Sequence, residues 1–443
     1  MNARWHDFGH DSQRILKLAW PVLVGQLAVL AFGTIDTVLL ARLGSQDLAA
    51  LAVGSAAYIT VFVGLMGVLL AIGPIVGQLY GARRYEEAGR QFHQGVWLAL
   101  VLSALGMLVL AFPQPFLALS KVEGEVAQGI RDYMATLAFA LPAALLFTVY
   151  RGFNTAISRP KAVMNLQLGG LALKLPLSMA LAWGWPAVGL PSMGVVGCGV
   201  ATVIVMWLQC LAAAWILMRD PHYAPYALRG RGLDAPNGAM LRAQLRLGVP
   251  MGAGILIEVT GFTFMAIFIA RLGPLPVAGH QIAANLVAML FMVPLALSNA
   301  TSTLVAQRLG ALAPQEASRL AWHGVGLGAM LALLMGGALY TGRGWVAGLY
   351  TSDAAVAAAA LVLRAYRVAT LPVVVYAVAL WGVGLGGGYA LAFREVTPTS
   401  MLPWAVGASA FWVTATLALW LAAALMLALM AWVIRQRQRE GRA

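Results

Sequence analysis

Apolar runs about 20 residues long recur along this chain, and no other feature limits its fold so strongly. A helix needs roughly 20 apolar residues to cross the hydrocarbon core of a bilayer. Runs bounded by charge, Pro or Gly fall at about 15–40, 48–79, 91–112, 132–150, 162–183, 195–217, 247–270, 276–307, 320–341, 371–393 and 404–434. The chain is 61% hydrophobic and only 10% charged, whereas a soluble chain carries roughly 25% charged residues. The expected fold is therefore an all-α polytopic membrane protein. Met1 to Arg14 holds Asp7, Asp11 and two His and has no apolar centre, so the first span is expected to insert uncleaved.

A twelfth run is too short. Ala354 to Leu363 is apolar, but Arg364 and Arg367 follow at once. Basic residues test whether this run crosses. If it does, alternate loops and both termini on one side hold 21 of the 29 Lys and Arg, and the other side holds 6; Lys17 and Lys174 lie within spans. That bias puts both termini in the cytoplasm. If the run does not cross, the basic tail from Arg435 ends outside. A crossing, tilted or in a thinned bilayer, is the expectation. The net charge of +13 is then mainly a topology signal, with basic loops lying against anionic lipid, and no nucleic-acid partner is expected. Cys198 and Cys210 stand twelve residues apart in one span, roughly 18 Å along a helix, too far for a disulfide.

The chain also resembles itself. At an offset of 229, Pro21 falls on Pro250, Arg42-Leu43-Gly44 on Arg271-Leu272-Gly273, and Gln78, Gly81 and Ala82 on Gln307, Gly310 and Ala311. Glu87, Ala88 and Arg90 fall on Glu316, Ala317 and Arg319, and Gly95 on Gly324. The expected architecture is two six-span lobes related by a parallel internal repeat, with a site between them: an N-lobe over 1–220, a cytoplasmic linker over 221–246 and a C-lobe over 247–443. Further on, "LKLPLSMALA" (Leu173–Ala182) matches "VGLGGGYALA" (Val383–Ala392) at an offset of 210, and "YRGF" (Tyr150–Phe153) matches "LRAY" (Leu363–Tyr366) at 213. The second half has thus lost about four helical turns between Ala354 and Leu363, and span 10 is shortened.

Ionisable groups inside spans are expensive unless they face a cavity or a partner. Asp36 lies late in span 1, Glu258 near the middle of span 7 and Lys174 in mid-span 5. In the repeat Glu258 falls on Val29 and Asp36 on Met265, so the two halves carry their acids at different levels. Each acid can instead be a plain interhelical hydrogen bond, and Lys174 can snorkel, although its stem is short for the distance. Thr34, Thr37, Asn154, Ser178, Thr202, His280, Gln281, Asn285 and Asn299 read as interhelical glue or as softer site candidates. Trp345 and Trp404 read as interfacial belts. No metal-ligand spacing, nucleophile elbow or phosphate loop is present, and enzymatic function is not expected.

Several motifs together resemble the multidrug and toxic compound extrusion (MATE) transporters, in their bacterial NorM-type branch. They are "WP" at Trp20-Pro21, "DTVLLARLG" (Asp36–Gly44), "GQLYGARR" (Gly77–Arg84), the span-7 acid Glu258 and "GHQIAAN" (Gly279–Asn285). The resemblance implies a monomer in the bacterial cytoplasmic membrane that exports cationic or amphipathic compounds as H⁺ or Na⁺ enters, with no other cofactor. It implies an N-lobe cation site at Asp36, with Na⁺ a possible occupant. The family's span-5 pair falls on Lys174 and Ser178, and its span-6 Thr on Thr202. Asp36, Glu258, Gln281, Asn285 and Asn154 are the implied substrate contacts, and Pro21 and Pro250 the hinges.

Two departures stand out. Lys174 puts an ammonium where Na⁺ would need oxygens, which favours H⁺ coupling. The acid that the family pairs with Glu258 on span 10 is missing from the shortened segment. Two other readings stay open: an exporter of lipid-linked or metabolite substrates, and a transport-dead protein with a damaged span.

Overall fold

The computed structural model describes residues 2–120, 124–185, 189, 191–228, 232–270, 274–341 and 408–440. Its elements are helices: α1 (Asn2–Ala41), α2 (Ser45–Leu69), α3 (Ile72–Gly81), α4 (Tyr85–Ala111), α5 (Gln114–Ser120), α6 (Gly124–Ala138), α7 (Leu141–Ala156), α8 (Pro160–Trp183), α9 (Gly194–Arg219), α10 (Gly238–Ala270), α11 (Pro274–Gly310), α12 (Pro314–Thr341) and α13 (Ala408–Glu440). Among the described residues, eight stretches are long and apolar enough to cross a membrane, or nine with the bent pair α6–α7 taken as one. These nine fall on the nine expected spans from 15–40 to 320–341. The shortened segment 354–363 and the run at 371–393 lie outside the described residues.

Two expected spans are not single straight helices. The run at 48–79 is divided into α2 and α3, and the run at 132–150 becomes α6 and α7, bent by 45°. Proline explains both. Pro74, early in α3, and Pro142, at the start of α7, each lack the N–H that would bond the carbonyl four residues back and crowd that carbonyl. Most helices start before their apolar runs do, and two of them by the widest margins. One is α1, which begins at Asn2. The other, α10, begins at Gly238, where the Asn237 side chain accepts hydrogen bonds from the backbone N–H groups of Ala239 and Met240 at 3.0 and 3.1 Å, an N-cap that terminates the linker.

The chain divides into two compact units, Val24–Gly252 and Met1–Leu23 with Ala253–Ala443. This is a different partition from 1–220, 221–246 and 247–443. In the unit built mainly from the second half, Ile15, Leu18 and Ala19 of α1 share a core with Leu297, Ala300 and Leu304 of α11 and with Ala418, Ala422, Met426 and Met430, spaced by one helical turn along α13. Polar contacts fasten the same segment: buried Asp11 meets Arg319 Nε at 3.2 Å and His323 Nδ1 at 2.8 Å. In the first-half unit the linker is fastened to α4. Trp97 Nε1 donates to Asp234 O at 2.9 Å, Gln94 Nε2 to Ala235 O at 3.0 Å, the Asn237 N–H to Gln94 Oε1 at 2.8 Å, and His93 pairs with Asp234 at 3.1 Å. Buried backbone and side-chain polar groups have to be partnered, and here they bind the linker to the first half.

Within each unit the offset of 229 recurs in three dimensions. After α3 the N–H groups of Ala82, Arg83 and Arg84 bond the carbonyls of Gln78, Tyr80 and Leu79; after α11 those of Ala311, Leu312 and Ala313 bond Gln307, Leu309 and Arg308. Arg83 and Leu312, with φ of 59° and 56°, take the left-handed conformation that ends a helix. Gly95 packs on Ile72, and Gly324 on Thr301. The two unit boundaries, inside α1 and α10, are themselves separated by that same offset.

Close packing of α8 on α9 rests on Gly197, where an added Cβ would lie 2.5 Å from Leu181 O and 2.8 Å from Ala182 N. These are backbone atoms that cannot step aside. Gly197→Ala is expected to destabilise the protein by about 1–3 kcal/mol. Gly33→Ala, on α1 with nothing within 4 Å, is expected to be neutral or stabilising by up to about 1 kcal/mol. Denaturant unfolding of the two purified variants checks this, and a Gly197→Ala protein as stable as Gly33→Ala would refute it.

Candidate functional site

Three helices of the first-half unit turn their buried stripes toward one point. Along α1 the buried positions include Ala28, Phe32, Asp36 and Leu40, one turn apart. Along α8 they are Pro160, Val163, Gln167, Gly170, Lys174, Ser178 and Ala182, and along α9 Cys198, Ala201 and Val205 lie on the buried face. Steps of three and four residues keep a helix face in register, so Lys174 and Ser178 necessarily face inward with the apolar residues around them. Small residues let the helices approach: a Cβ on Gly25 would strike the Gln167 side chain, and one on Gly170 the Gln209 side chain. Trp183 Nε1 then donates to Leu39 O at 3.2 Å, tying the far ends of α1 and α8.

At the meeting point lies an ion pair with no exposure on its cation. Lys174 is 0% exposed and Asp36 4%. Lys174 Nζ stands 2.9 Å from Asp36 Oδ1 and donates to Asp36 Oδ2 at 3.0 Å, to Cys198 O at 3.0 Å and to Thr202 Oγ1 at 2.7 Å. An ammonium has three donors, and three residues receive them. Ser178 Oγ donates to Asp36 Oδ1 at 3.2 Å, and Thr202 Oγ1 donates its own proton to Cys198 O at 2.9 Å. Carboxylate, carbonyl and hydroxyl oxygens are the ligands that a small hard cation selects; here the ammonium takes them.

Of the residues that the sequence puts forward, Asp36, Lys174, Ser178 and Thr202 are thus brought together. The Cys198 carbonyl completes the set. No pattern of side chains could have announced it, because it is a backbone atom, one turn before Thr202 on the same helix face. Asn154 lies elsewhere. It is fully buried, its Nδ2 donates to Tyr150 O at 2.9 Å and its Oδ1 accepts from Tyr223 Oη at 2.5 Å, so both ends of its amide are used in holding the short 3₁₀ helix Pro221–Tyr226 to α7. Glu258 stands on α10 in the other unit, half-buried and engaged with a neighbour, not the isolated carboxylate that the missing span-10 acid would leave. Pro21 and Pro250 lie inside α1 and α10, each just before a unit boundary. The side chains of His280, Gln281 and Asn285, on α11, lie outside the described residues. Thr34 and Thr37 bond the carbonyls of Leu30 and Gly33 on their own helix.

A second charged cluster holds the linker. Arg159 pairs with Asp220 at 2.6 Å and lies over the Tyr223 ring, 5.4 Å from its centroid. Asp220 caps the 3₁₀ helix by accepting from the His222 N–H at 2.9 Å. That backbone N–H, and then Arg159, hold the Asp220 carboxyl below its ordinary value, so its contribution is complete above about pH 4 and fades only as the pH falls below that. Among the described residues no group of three or more His, Cys, Asp or Glu is arranged to hold a metal ion.

Comparison with known proteins gives the family and the fold. The MatE family profile matches residues 21–180 and 250–393, two stretches whose starts are again related by the repeat offset. Over 411 residues the chain is 41% identical to a probable multidrug resistance protein NorM of Aromatoleum aromaticum, covering 87% of this chain and 88% of that one. A multidrug resistance protein MdtK of Yersinia pestis is 31% identical over 448 residues, 96% of each. Among solved structures, a MATE transporter in the bent conformation aligns with a TM-score of 0.85 at 16% identity, covering 98% of this chain and 97% of that one. The eukaryotic MATE transporter AtDTX14 aligns at 0.83 with 18% identity, covering 98% and 99%.

Removing one member of a buried, hydrogen-bonded pair strands the other. Lys174→Met and Asp36→Asn are each expected to lower unfolding stability by about 3–5 kcal/mol, and the double variant to recover most of that. Chemical denaturation of the purified proteins in detergent checks it; a double variant whose loss equals the sum of the singles would show that the two side chains do not act as a pair.

Proposed function

The chain belongs to the MatE family, and from that membership we propose that it is a multidrug efflux transporter of the bacterial cytoplasmic membrane, exporting cationic or amphipathic compounds in exchange for protons. The names of its bacterial relatives and the multi-pass helical fold support export of drugs. The proton as coupling ion rests on one observation: Lys174 Nζ occupies the oxygen ligands of Asp36, Cys198 and Thr202 at 2.7–3.0 Å. A tethered ammonium at that position repels a free cation and fills the space it would need. A proton is different, because it can bind Asp36 without displacing Lys174.

The consequence of protonation follows from which helix carries which group. Asp36 sits on α1, Lys174 and Ser178 on α8, and Cys198 and Thr202 on α9. A proton on Asp36 removes the charge that holds α1 to the other two, while Lys174 keeps Cys198 O and Thr202 Oγ1. In this reading α1 is the element released, with Pro21 as its pivot and Pro250 as the counterpart in α10. Glu258 supplies the acid of the other half, and Gln281 and Asn285 are substrate contacts. The recurrences at the fixed offset support two parallel six-span lobes, and the distribution of Arg and Lys supports cytoplasmic termini. The working unit is a monomer, and lipid is its only other partner.

In proteoliposomes, an imposed pH gradient is expected to drive accumulation of a fluorescent organic cation to the same extent with and without Na⁺. Asp36→Asn is expected to abolish it. A strict Na⁺ requirement would sink the proton reading, and absence of any cation transport by the wild type would sink export itself. Glu258→Gln is expected to lose drug resistance in cells; unchanged resistance would remove Glu258 from the mechanism.

A further inference from the structure

The first turns of α1 are pinned by a histidine that the export reading does not use. His323 lies on α12, near the start of the expected span 320–341, and its Nδ1 stands 2.8 Å from Asp11 Oδ2. Phe8, on the turn before Asp11, packs edge-on against the imidazole with ring centroids 5.2 Å apart. Its ring also lies 3.6 Å from where a Cβ on Gly326 would be. Positions 319, 323 and 326 share one face of α12, and 8, 11 and 15 share one face of α1, so the two helices meet along a seam. The seam lies wholly inside the unit that contains Met1–Leu23.

Carboxylate and imidazole differ in exposure. The Asp11 side chain is 1% exposed and that of His323 21%. Asp7, His10 and Arg319, at the same level, are more exposed still, so water reaches the imidazole. Asp11 also meets Arg319 Nε at 3.2 Å, and Arg319 Nη1 meets Asp7 Oδ2 at 3.5 Å. Two carboxylates thus face one guanidinium. Asp11 Oδ1 has no hydrogen-bond partner among the described residues, and His10 Nδ1 stands 3.9 Å from it. Of the other charges around α12, Arg308 of α11 pairs with Glu316 at 3.1 Å, Arg14 of α1 is partly exposed and Arg435 of α13 is exposed. A proton on His323 supplies the positive charge that this group lacks. It also turns the bond to a buried carboxylate into one charged on both sides, and histidine is the side chain whose charge changes in the range of cellular pH.

The repeat offers a contrast. At the offset of 229, His323 falls on Gln94, next to His93, whose Nδ1 stands 3.1 Å from Asp234 Oδ2. There the imidazole is the buried member and the carboxylate the exposed one. That pair fastens the linker and gives water little access to the imidazole.

We propose that Asp11 and His323 form a cytoplasmic pH sensor: as the cell interior acidifies, protonation of His323 tightens the hold of α12 on the start of α1 and slows transport. Asp36 is carried by the same helix α1, whose residues after Leu23 belong to the other unit, so a firmer grip on its first turns raises the cost of moving it. An exporter that admits protons is restrained when protons have accumulated inside. The proposal rests on the proton-exchange reading with cytoplasmic termini and adds a control to it.

Two measurements test it. Denaturant midpoints of purified wild type, His323→Gln, Asp11→Asn and the double variant are compared at pH 8 and pH 6. A proton held more tightly in the folded state raises stability as the pH falls. The gap between wild type and His323→Gln is therefore expected to widen from pH 8 to pH 6, and the gap between Asp11→Asn and the double variant to stay constant. Everted vesicles, whose bath is the cytoplasmic side, are then kept with a lumen about one pH unit more acid than the bath. Uptake of a fluorescent organic cation by His323→Gln is expected to match wild type with the bath at pH 8 and to exceed it about threefold at pH 6, the factor of one partly exposed charge pair. If His323→Gln does not fold, Asp11→Asn takes its place in both measurements. A midpoint gap or an uptake ratio that does not change with pH would overturn the proposal. A wild type that moves no cation would overturn the export reading instead, and the midpoints still report the sensor, so the two failures are distinguishable.

Discussion

An ammonium held out of water needs three acceptors and a negative charge, and meeting that need at Lys174 organises the first-half unit. The groups involved come from three helices, so none of α1, α8 and α9 can shift without stranding a charge. Desolvation of the two ions opposes the pair and short, complete hydrogen bonding offsets it. The glycines at 25, 170 and 197 are the other side of this constraint, because oxygens at 2.7–3.0 Å from one nitrogen require backbones that approach closely. Tight packing and the buried pair are therefore one feature.

The same rule, that buried polar groups must be answered, explains how the connecting segments are placed. The 3₁₀ helix after α9 is held by Asn154 and Arg159, and the residues before α10 by His93, Gln94 and Trp97. The N-terminal turns of α1 are held by Arg319 and His323 around Asp11. In each half, then, the segment leading into a long helix is fixed by polar contacts to the third span of the half it packs with. These anchors sit at or near the ends of the apolar runs, and Asp234 and Arg319 among them are partly exposed, so they resemble the ordinary chemistry of soluble proteins more than the buried pair does.

Much of this was legible in the chain. The positions of nine spans follow from run length, because lipid admits little else, and the duplication follows from recurrence at one fixed offset. The ionisable residues in spans were visible as the costly exceptions. What was not legible was their grouping. Lys174 and Asp36 are far apart along the chain, and a snorkelling lysine has the same local sequence as a paired one. The breaks at Pro74 and Pro142 were hidden for a related reason: proline is tolerated in many spans, as Pro21, Pro176, Pro250 and Pro294 are within theirs, and whether a helix divides there depends on what its neighbours supply to the freed carbonyl.

By itself the sequence determined the class of the protein, the approximate spans and the repeat, since these depend on hydrophobic length and on identity at a fixed offset. It also determined that Asp36, Lys174 and Glu258 had to be accommodated somewhere. The tertiary structure decided that Lys174 takes a carboxylate, a carbonyl and a hydroxyl from two other helices, and that Asn154 and the linker hold each other. Partner choice among distant side chains is set by the packing of whole helices, and a linear chain carries no record of the distance between two faces until they meet.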